Sequence, residues 1–466
     1  MHEWNNSLVP YILVGMNAIF WLGLAAILMK RVYLALAVAP LLISIALRVQ
    51  SVLYIDLFGP VNSSQLSMTL GPGTDSIYMI ICYTVFFLPF LLVLETLLFR
   101  DPRNLTVMSA THGVRYTENS LYLILFVYFV VLYLQLFLGG VIPLIDHIER
   151  FDFAERYASP LHEYMFKYGT ILAVFLGGQT VYTKLATGRY DRRAFIFIFV
   201  MLLYAVLTGH RFAAFNKFIS FFLIPFSLVF AQSFHLRRMK LYQRDGKQGW
   251  LVLAVLIIGF STAFFSILNS YSNVRTANSE TVIARVVERL FVQQGELWIE
   301  TSNRVQEDKQ GNLSKTMDYL FFNPILPGKN TSIQYLMWLS LEGEAVRILD
   351  IGQQYAGGFP EIFVEIFGIY FLLPALMLFG TIMSMVTVIF LTSLRRGKLL
   401  SMLMSGFIMY AFVLTVYNGM LNQFFVLTFW LKLALLIVVY ASPPMKLLDL
   451  RLFGLRSRNY SPQTKN

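Results

Sequence analysis

SIYMIICYTVFFLPFLLVLETLLF, residues 76–99, contains one Asp, Glu, Lys or Arg among its side chains, Glu95 near its end. A helix rises about 1.5 Å per residue, so about 20 apolar residues cross a hydrocarbon core of roughly 30 Å. The stretch is continuously Leu, Phe and Ile rather than alternating with period two, which reads as a helix and not as a barrel strand. In lipid every backbone N–H and C=O needs an internal partner, and a helix supplies them within one segment. Similar runs lie at about 9–29, 32–54, 120–143, 165–183, 194–209, 212–233, 249–269, 360–393, 399–417 and 421–441. The reading is an all-α polytopic integral membrane protein with about eleven transmembrane helices. With 57% hydrophobic and only 14% charged residues, the 466-residue length is not divided into soluble domains. Three regions follow: eight spans over 1–269, a large loop over 270–358, and three spans with a tail over 359–466.

Charge sets the orientation. Lys and Arg concentrate at 30–31, 100–115, 184–193, 237–247 and 395–398 and in the tail from Lys446 to Lys465, which together hold 22 of the 37. The opposite loops carry 20 acidic against 14 basic residues. Basic loops stay in the cytoplasm, so the net charge of +11 reads as topology rather than as a nucleic-acid surface. The C-terminus is then cytoplasmic, and the N-terminus, residues 207–217 and 270–358 face the outside of a bacterial inner membrane. MHEWNNSL lacks the basic start of a cleaved signal peptide. The single cysteine, Cys82, lies within a span and leaves no intrachain disulfide.

LTGHRFAAFNK, 207–217, places His210, Arg211 and Lys217 at the tip of a hairpin with no length to spare. Only 43 residues separate Arg193 from Arg237, enough for two crossings and a tight turn signalled by Gly209. A helix start with free N–H groups beside like charges suits an anion. Long basic side chains near helix ends also snorkel to headgroups, and this second reading stands beside the first.

Within the loop, NSETVIARVVERLFVQQGELWIETSNR, 278–304, reads as one amphipathic helix. Its apolar face includes Val287, Leu290, Leu297 and Trp298, and its polar face Arg285, Arg289, Gln293, Glu296 and Glu300. Arg285 and Arg289 repel one another unless Glu288 or a shared polyanion compensates, and Arg275 adds a third guanidinium. QQYAGGFPEIFVEIFG, 353–368, opens the next span, with Glu361 and Glu365 one turn apart at its outer end. These carboxylates suit either a helix dipole or a base that positions a sugar hydroxyl. Lys432, inside the last span, calls for a partner or a polar cavity. No P-loop, GxGxxG, GxSxG or HExxH spacing is present, so no nucleotide, metal or other cofactor is expected.

The eleven spans, the GHR element at 209–211, the Arg-rich late loop and GGFPEIFVEIFG at 357–368 together resemble the Wzy-type O-antigen and polysaccharide repeat-unit polymerases. The resemblance implies a GT-C-like inner-membrane glycosyltransferase. It would move a growing glycan from undecaprenyl pyrophosphate onto the next lipid-linked repeat at the periplasmic face. By that resemblance Arg211 binds the pyrophosphate, with Arg275, Arg285, Arg289 and Lys217 as further anion or glycan contacts. Glu365, Glu361 or His210 orients or deprotonates the acceptor. The implied partners are the lipid-linked oligosaccharide, membrane lipid and a chain-length regulator, with no nucleic acid. A lipid-linked glycan flippase, a scaffold subunit and an O-antigen ligase remain open alternatives.

Overall fold

The computed structural model describes residues 8–63, 68–100, 119–146, 148, 150–210, 212–238, 288–308, 335–337, 339 and 357–441. The expected span 249–269 and most of the loop 270–358 lie outside the described residues. Helices α1 (Val9–Lys30) and α2 (Val32–Phe58) lead to a small antiparallel ribbon, β1 (Val61–Ser63) with β2 (Met68–Leu70). Helix α3 (Asp75–Leu94) ends in a π-helical turn, Glu95–Phe99. After α4 (Asn119–Leu138) come the short α5 (Pro143–Asp146) and α6 (Arg150–Arg156), then α7 (Pro160–Thr187) and α8 (Arg192–Leu207). Helices α9 (Phe212–Leu223), α10 (Phe226–Arg238), α11 (Glu296–Asp308), α12 (Glu361–Arg395), α13 (Leu399–Asn418) and α14 (Leu427–Ala441) complete the described fold. Among the described residues six helices are long and apolar enough to cross a membrane, or seven if α9 and α10 count as one bent span. The chain is therefore a multi-pass, all-α membrane protein.

Lipid tails are as apolar as leucine, so helices in a membrane associate through close fit and interhelical hydrogen bonds. The most extensive contact joins α3 to α12. Gly380 of α12 lies directly on the Phe86 carbonyl of α3, and a Cβ there would collide with it. Nearby, the Ser384 hydroxyl donates to the Phe90 carbonyl at 2.8 Å. Gly177 of α7 meets the Phe222 main chain of α9 in the same way. Apolar side chains such as Ile19, Phe126, Phe371 and Leu431 point outward, as a lipid-facing surface requires.

Two expected spans are not straight. Helices α9 and α10 meet at a 43° bend beside Pro225, where the ring removes a backbone donor. The departure at 360–393 is larger. Gly368 takes φ 59 and ψ −173 inside α12, a conformation open essentially to glycine alone. A continuous helix would separate Phe363 from Phe379 by about 24 Å. Their ring centroids are 5.0 Å apart, and Phe359 lies 5.9 Å from Phe379. The chain therefore doubles back at Gly368. Residues 361–367 form a short arm running antiparallel to the long arm 369–395, which makes 357–368 a re-entrant segment. Non-helical backbone at this depth is tolerated because it is enclosed by protein. Phe359, Glu361, Ile362 and Val364 are completely buried.

Candidate functional site

The reversal at Gly368 corrects the expected position of Glu361. It lies at the end of the short arm away from the Gly368 turn, not at the head of a straight span, because the arm runs antiparallel to the long arm that follows. There its carboxylate faces Arg48 of α2, with Arg48 Nη1 and Glu361 Oε2 3.6 Å apart and both side chains almost wholly buried. Arg48 sits ten residues before the end of α2, roughly 15 Å along the helix. Its Nη1 donates to the Phe359 carbonyl and its Nη2 to the Tyr417 carbonyl at 3.2 Å. The Tyr83 hydroxyl of α3 donates to the same Phe359 carbonyl at 3.0 Å. One guanidinium thus ties α2 to the arm and to the last turn of α13. Neither oxygen of Glu361 accepts a hydrogen bond among the described residues. Taking an ion from water costs several kcal/mol in practice, and the Arg48 guanidinium is held there by the carboxylate and the two carbonyls that converge on it.

The approach of arm and α13 depends on glycine. Gly358 has φ 119 and Gly419 has φ 63, and a Cβ on Gly358 would come within 2.5 Å of the Asn418 carbonyl group. The expected Gly pair is legible here as a place where two main chains touch.

Glu365, one turn beyond Glu361, is paired with a different arginine. Arg304 Nη1 of α11 donates to Glu365 Oε2 at 2.7 Å. The Nε and Nη2 atoms of Arg304 are buried and have no hydrogen-bond partner among the described residues. That edge is a planar two-donor fork, the geometry that grips a phosphate or carboxylate bidentately.

Helix α11 also corrects the single amphipathic helix expected at 278–304. A helical turn at 288–291 is followed by a break at 292–295 before α11 starts. Gly295 fits against Val52 and Ser51 of α2, where a Cβ would clash, and the Ser51 hydroxyl donates to the Val292 carbonyl at 3.0 Å. The break changes the buried face. Leu297 and Trp298 are fully buried as expected, but so is Glu296, expected on the polar face. Glu296 Oε2 accepts from the Ser63 hydroxyl at 2.6 Å, and burial pushes its carboxyl up to about 8. Trp298 Nε1 donates to the Asp75 carbonyl and the Ser302 hydroxyl to Asp75 Oδ1, fixing α11 to the start of α3.

The hairpin turn falls where Gly209 signalled it. Helix α8 ends at Leu207, Gly209 has φ 69, and α9 begins at Phe212. His210 stacks on Phe166 of α7, with centroids 3.4 Å apart and planes 13° apart. Asn216 donates to the Tyr417 hydroxyl at 2.6 Å, which links α9 to the residue whose carbonyl holds Arg48. Lys217 Nζ donates to the Tyr410 hydroxyl at 3.0 Å. Arg211, Arg275 and Arg285 lie outside the described residues. Arg289 is half-buried in the turn before the 292–295 break, and its carbonyl accepts from Gln294 at 3.3 Å. Lys432 finds an aromatic partner, its Nζ 4.8 Å from the centre of the Phe407 ring. A lysine within a membrane helix costs up to about 2.5–3.5 kcal/mol on the insertion scale, and a well-desolvated cation–π contact of about 2 kcal/mol offsets part of such a cost.

Sequence reasoning missed Arg48, Arg304, Tyr83 and Tyr417. Arg48 carried a usable signal, since it is a charge within the apolar run 32–54 and so a functional or structural anchor by default. Arg304 carried none, because its unpaired edge is a property of packing. Among the described residues no group of His, Cys, Asp and Glu is placed to hold a metal ion.

Residues 326–433 match a family of unknown function, DUF6418. The match covers less than a quarter of the chain and includes the re-entrant arm, the long arm of α12, α13 and Lys432. No curated protein and no solved structure matches the chain.

Proposed function

We propose that this protein is a membrane glycosyltransferase that joins oligosaccharide repeat units carried on a polyprenyl pyrophosphate, on the outer face of a bacterial inner membrane. The observation that carries this reading is the Nε/Nη2 edge of Arg304, buried and without a partner among the described residues, whose third nitrogen is held by Glu365 on the re-entrant arm. A lipid pyrophosphate leaving group needs fixed donors where its charge develops, and a pre-oriented guanidinium supplies them without reorganising. Glu365 orients that fork, and Glu361 lies one turn away along the arm, paired with Arg48 and accepting no hydrogen bond among the described residues. Arg211, Arg275, Arg285, Arg289, His210 and Lys217 supply further positive or proton-transferring groups at the same face of the proposed topology. The glycosyl–pyrophosphate bond would supply the energy, so the reaction needs no nucleotide.

A second reading is a flippase for the same lipid-linked glycan. The bent α9–α10 pair and the re-entrant arm favour it, because transporters build substrate sites from interrupted helices near the bilayer centre.

The test is a surface-polysaccharide gel from deletion cells complemented with wild type, Arg304→Lys or Glu365→Gln at equal protein level. Polymerisation predicts a wild-type ladder that collapses towards single repeats in Arg304→Lys, which keeps the charge and loses the fork. Loss of one preorganised donor set is expected to cost about 100-fold in rate. Loss of all surface repeats on deletion would favour the flippase, and a full ladder with both variants would remove Arg304 from the chemistry.

A further inference from the structure

Lys217 and Lys432 occupy equivalent places on two helices. Each stands five residues into its helix, α9 or α14, about 7.5 Å along from an end that the loop charges assign to the outer face. Both side chains turn onto the same face of α13. Lys217 reaches the Tyr410 hydroxyl at 3.0 Å, and Lys432 reaches the Phe407 ring at 4.8 Å, with those two aromatics three residues apart. Tyr168 of α7 closes the cluster, its ring 6.4 Å from that of Phe407. Among the described residues neither ammonium has a carboxylate within ion-pairing distance. Simple snorkelling would carry each ammonium along its own helix to water, whereas here both converge on a third helix.

The surroundings narrow the occupant. Tyr168 is 43% exposed, and beside Lys432 the side chains Trp430, Leu431 and Leu435 are 56%, 59% and 42% exposed. The cluster therefore opens sideways, towards hydrocarbon, with an exposed tryptophan of the kind found at membrane interfaces. A fitting ligand is anionic at one end and apolar at the other. We propose that Lys217 and Lys432, with Tyr410 and Phe407 of α13, form a lateral site for the phosphate of an outer-leaflet lipid. The ammonium groups grip the phosphate as point charges, and the tyrosine hydroxyl offers a third donor. This site is separate from the Arg304 fork and stands whether or not the protein transfers glycans.

The test uses the full-length protein in neutral detergent, with native mass spectrometry to count retained lipid. The probes are phosphatidylglycerol, a polyisoprenyl pyrophosphate, zwitterionic phosphatidylcholine and inorganic pyrophosphate. Wild type should retain the two anionic lipids in preference to phosphatidylcholine. Each of Lys217→Gln and Lys432→Gln should weaken that retention about fivefold, and the pair more than tenfold. Lys432→Arg should restore it to within about twofold, which separates lost charge from misfolding. Tighter binding of the polyisoprenyl pyrophosphate than of phosphatidylglycerol would identify a carrier-lipid site, and equal binding a phospholipid site. Unchanged retention in the double variant would overturn the proposal, as would inorganic pyrophosphate binding as tightly as the lipids.

Discussion

Arg48 meets one carboxylate and two main-chain carbonyls, so its removal and its replacement are different experiments. Arg48→Met alone leaves Glu361 charged and enclosed, and a broken buried pair costs about 3–5 kcal/mol. Replacing both residues with apolar ones of similar size, as in Arg48→Met with Glu361→Leu, removes the stranded charge. The double variant should recover most of the thermal stability lost by the single one, measured on purified protein in detergent. A double variant no more stable than Arg48→Met would mean that the carbonyl contacts, rather than the pair, hold the arm. Glu361 was legible in the sequence as a carboxylate of interest, and its partner was not. A guanidinium 313 positions earlier meets it across the fold, and no local pattern encodes that meeting.

At the scale of the element, apolar runs located the helices well because hydrophobicity is a local property that length alone can read. Where backbone direction changed, the pattern was silent. Five of residues 361–367 are Ile, Phe or Val and lead straight into the apolar long arm, so the two read as one span, and only Gly368 marks the reversal. The break at 292–295 was hidden similarly, because Val292 and Gly295 serve contacts to α2 rather than a helical face. Gly368→Ala tests the reversal directly. A side chain at φ 59 and ψ −173 is expected to cost about 1–3 kcal/mol. The variant should unfold at lower temperature, whereas Gly15→Ala on α1, where a Cβ meets nothing within 4 Å, should unfold like wild type. Equal midpoints for the two variants would argue that α12 is straight.

For the whole molecule, the alternation of basic loops and the helix order give one orientation that chemistry can check. Cys82 is fully buried, so the natural protein should resist a membrane-impermeant maleimide and serve as an unlabelled background. In that background Glu155→Cys, in the last turn of α6, should label in intact cells with a permeable outer membrane. Arg189→Cys, in the turn between α7 and α8, should label only after the inner membrane is opened. The reverse pattern would invert the topology and move Arg304, Lys217 and Lys432 to the cytoplasmic side. This orientation rests on the charge pattern, which is legible in the sequence. The meeting of Arg304 with Glu365, and of two lysines on one face of α13, was not, because each joins helices far apart in the chain.

The hydrogen bonds of Arg48 go to the carbonyls of Phe359 and Tyr417, and every amino acid carries a carbonyl. The anchor itself therefore places no demand on the side chains at 359 and 417, provided the main chain keeps its path. Statistical coupling between those sites and 48 should be weak. Only the charge pair 48/361 is forced to change together. Distant kin should accordingly be sought by that pair and by the glycines at 358, 368 and 419, rather than by overall identity.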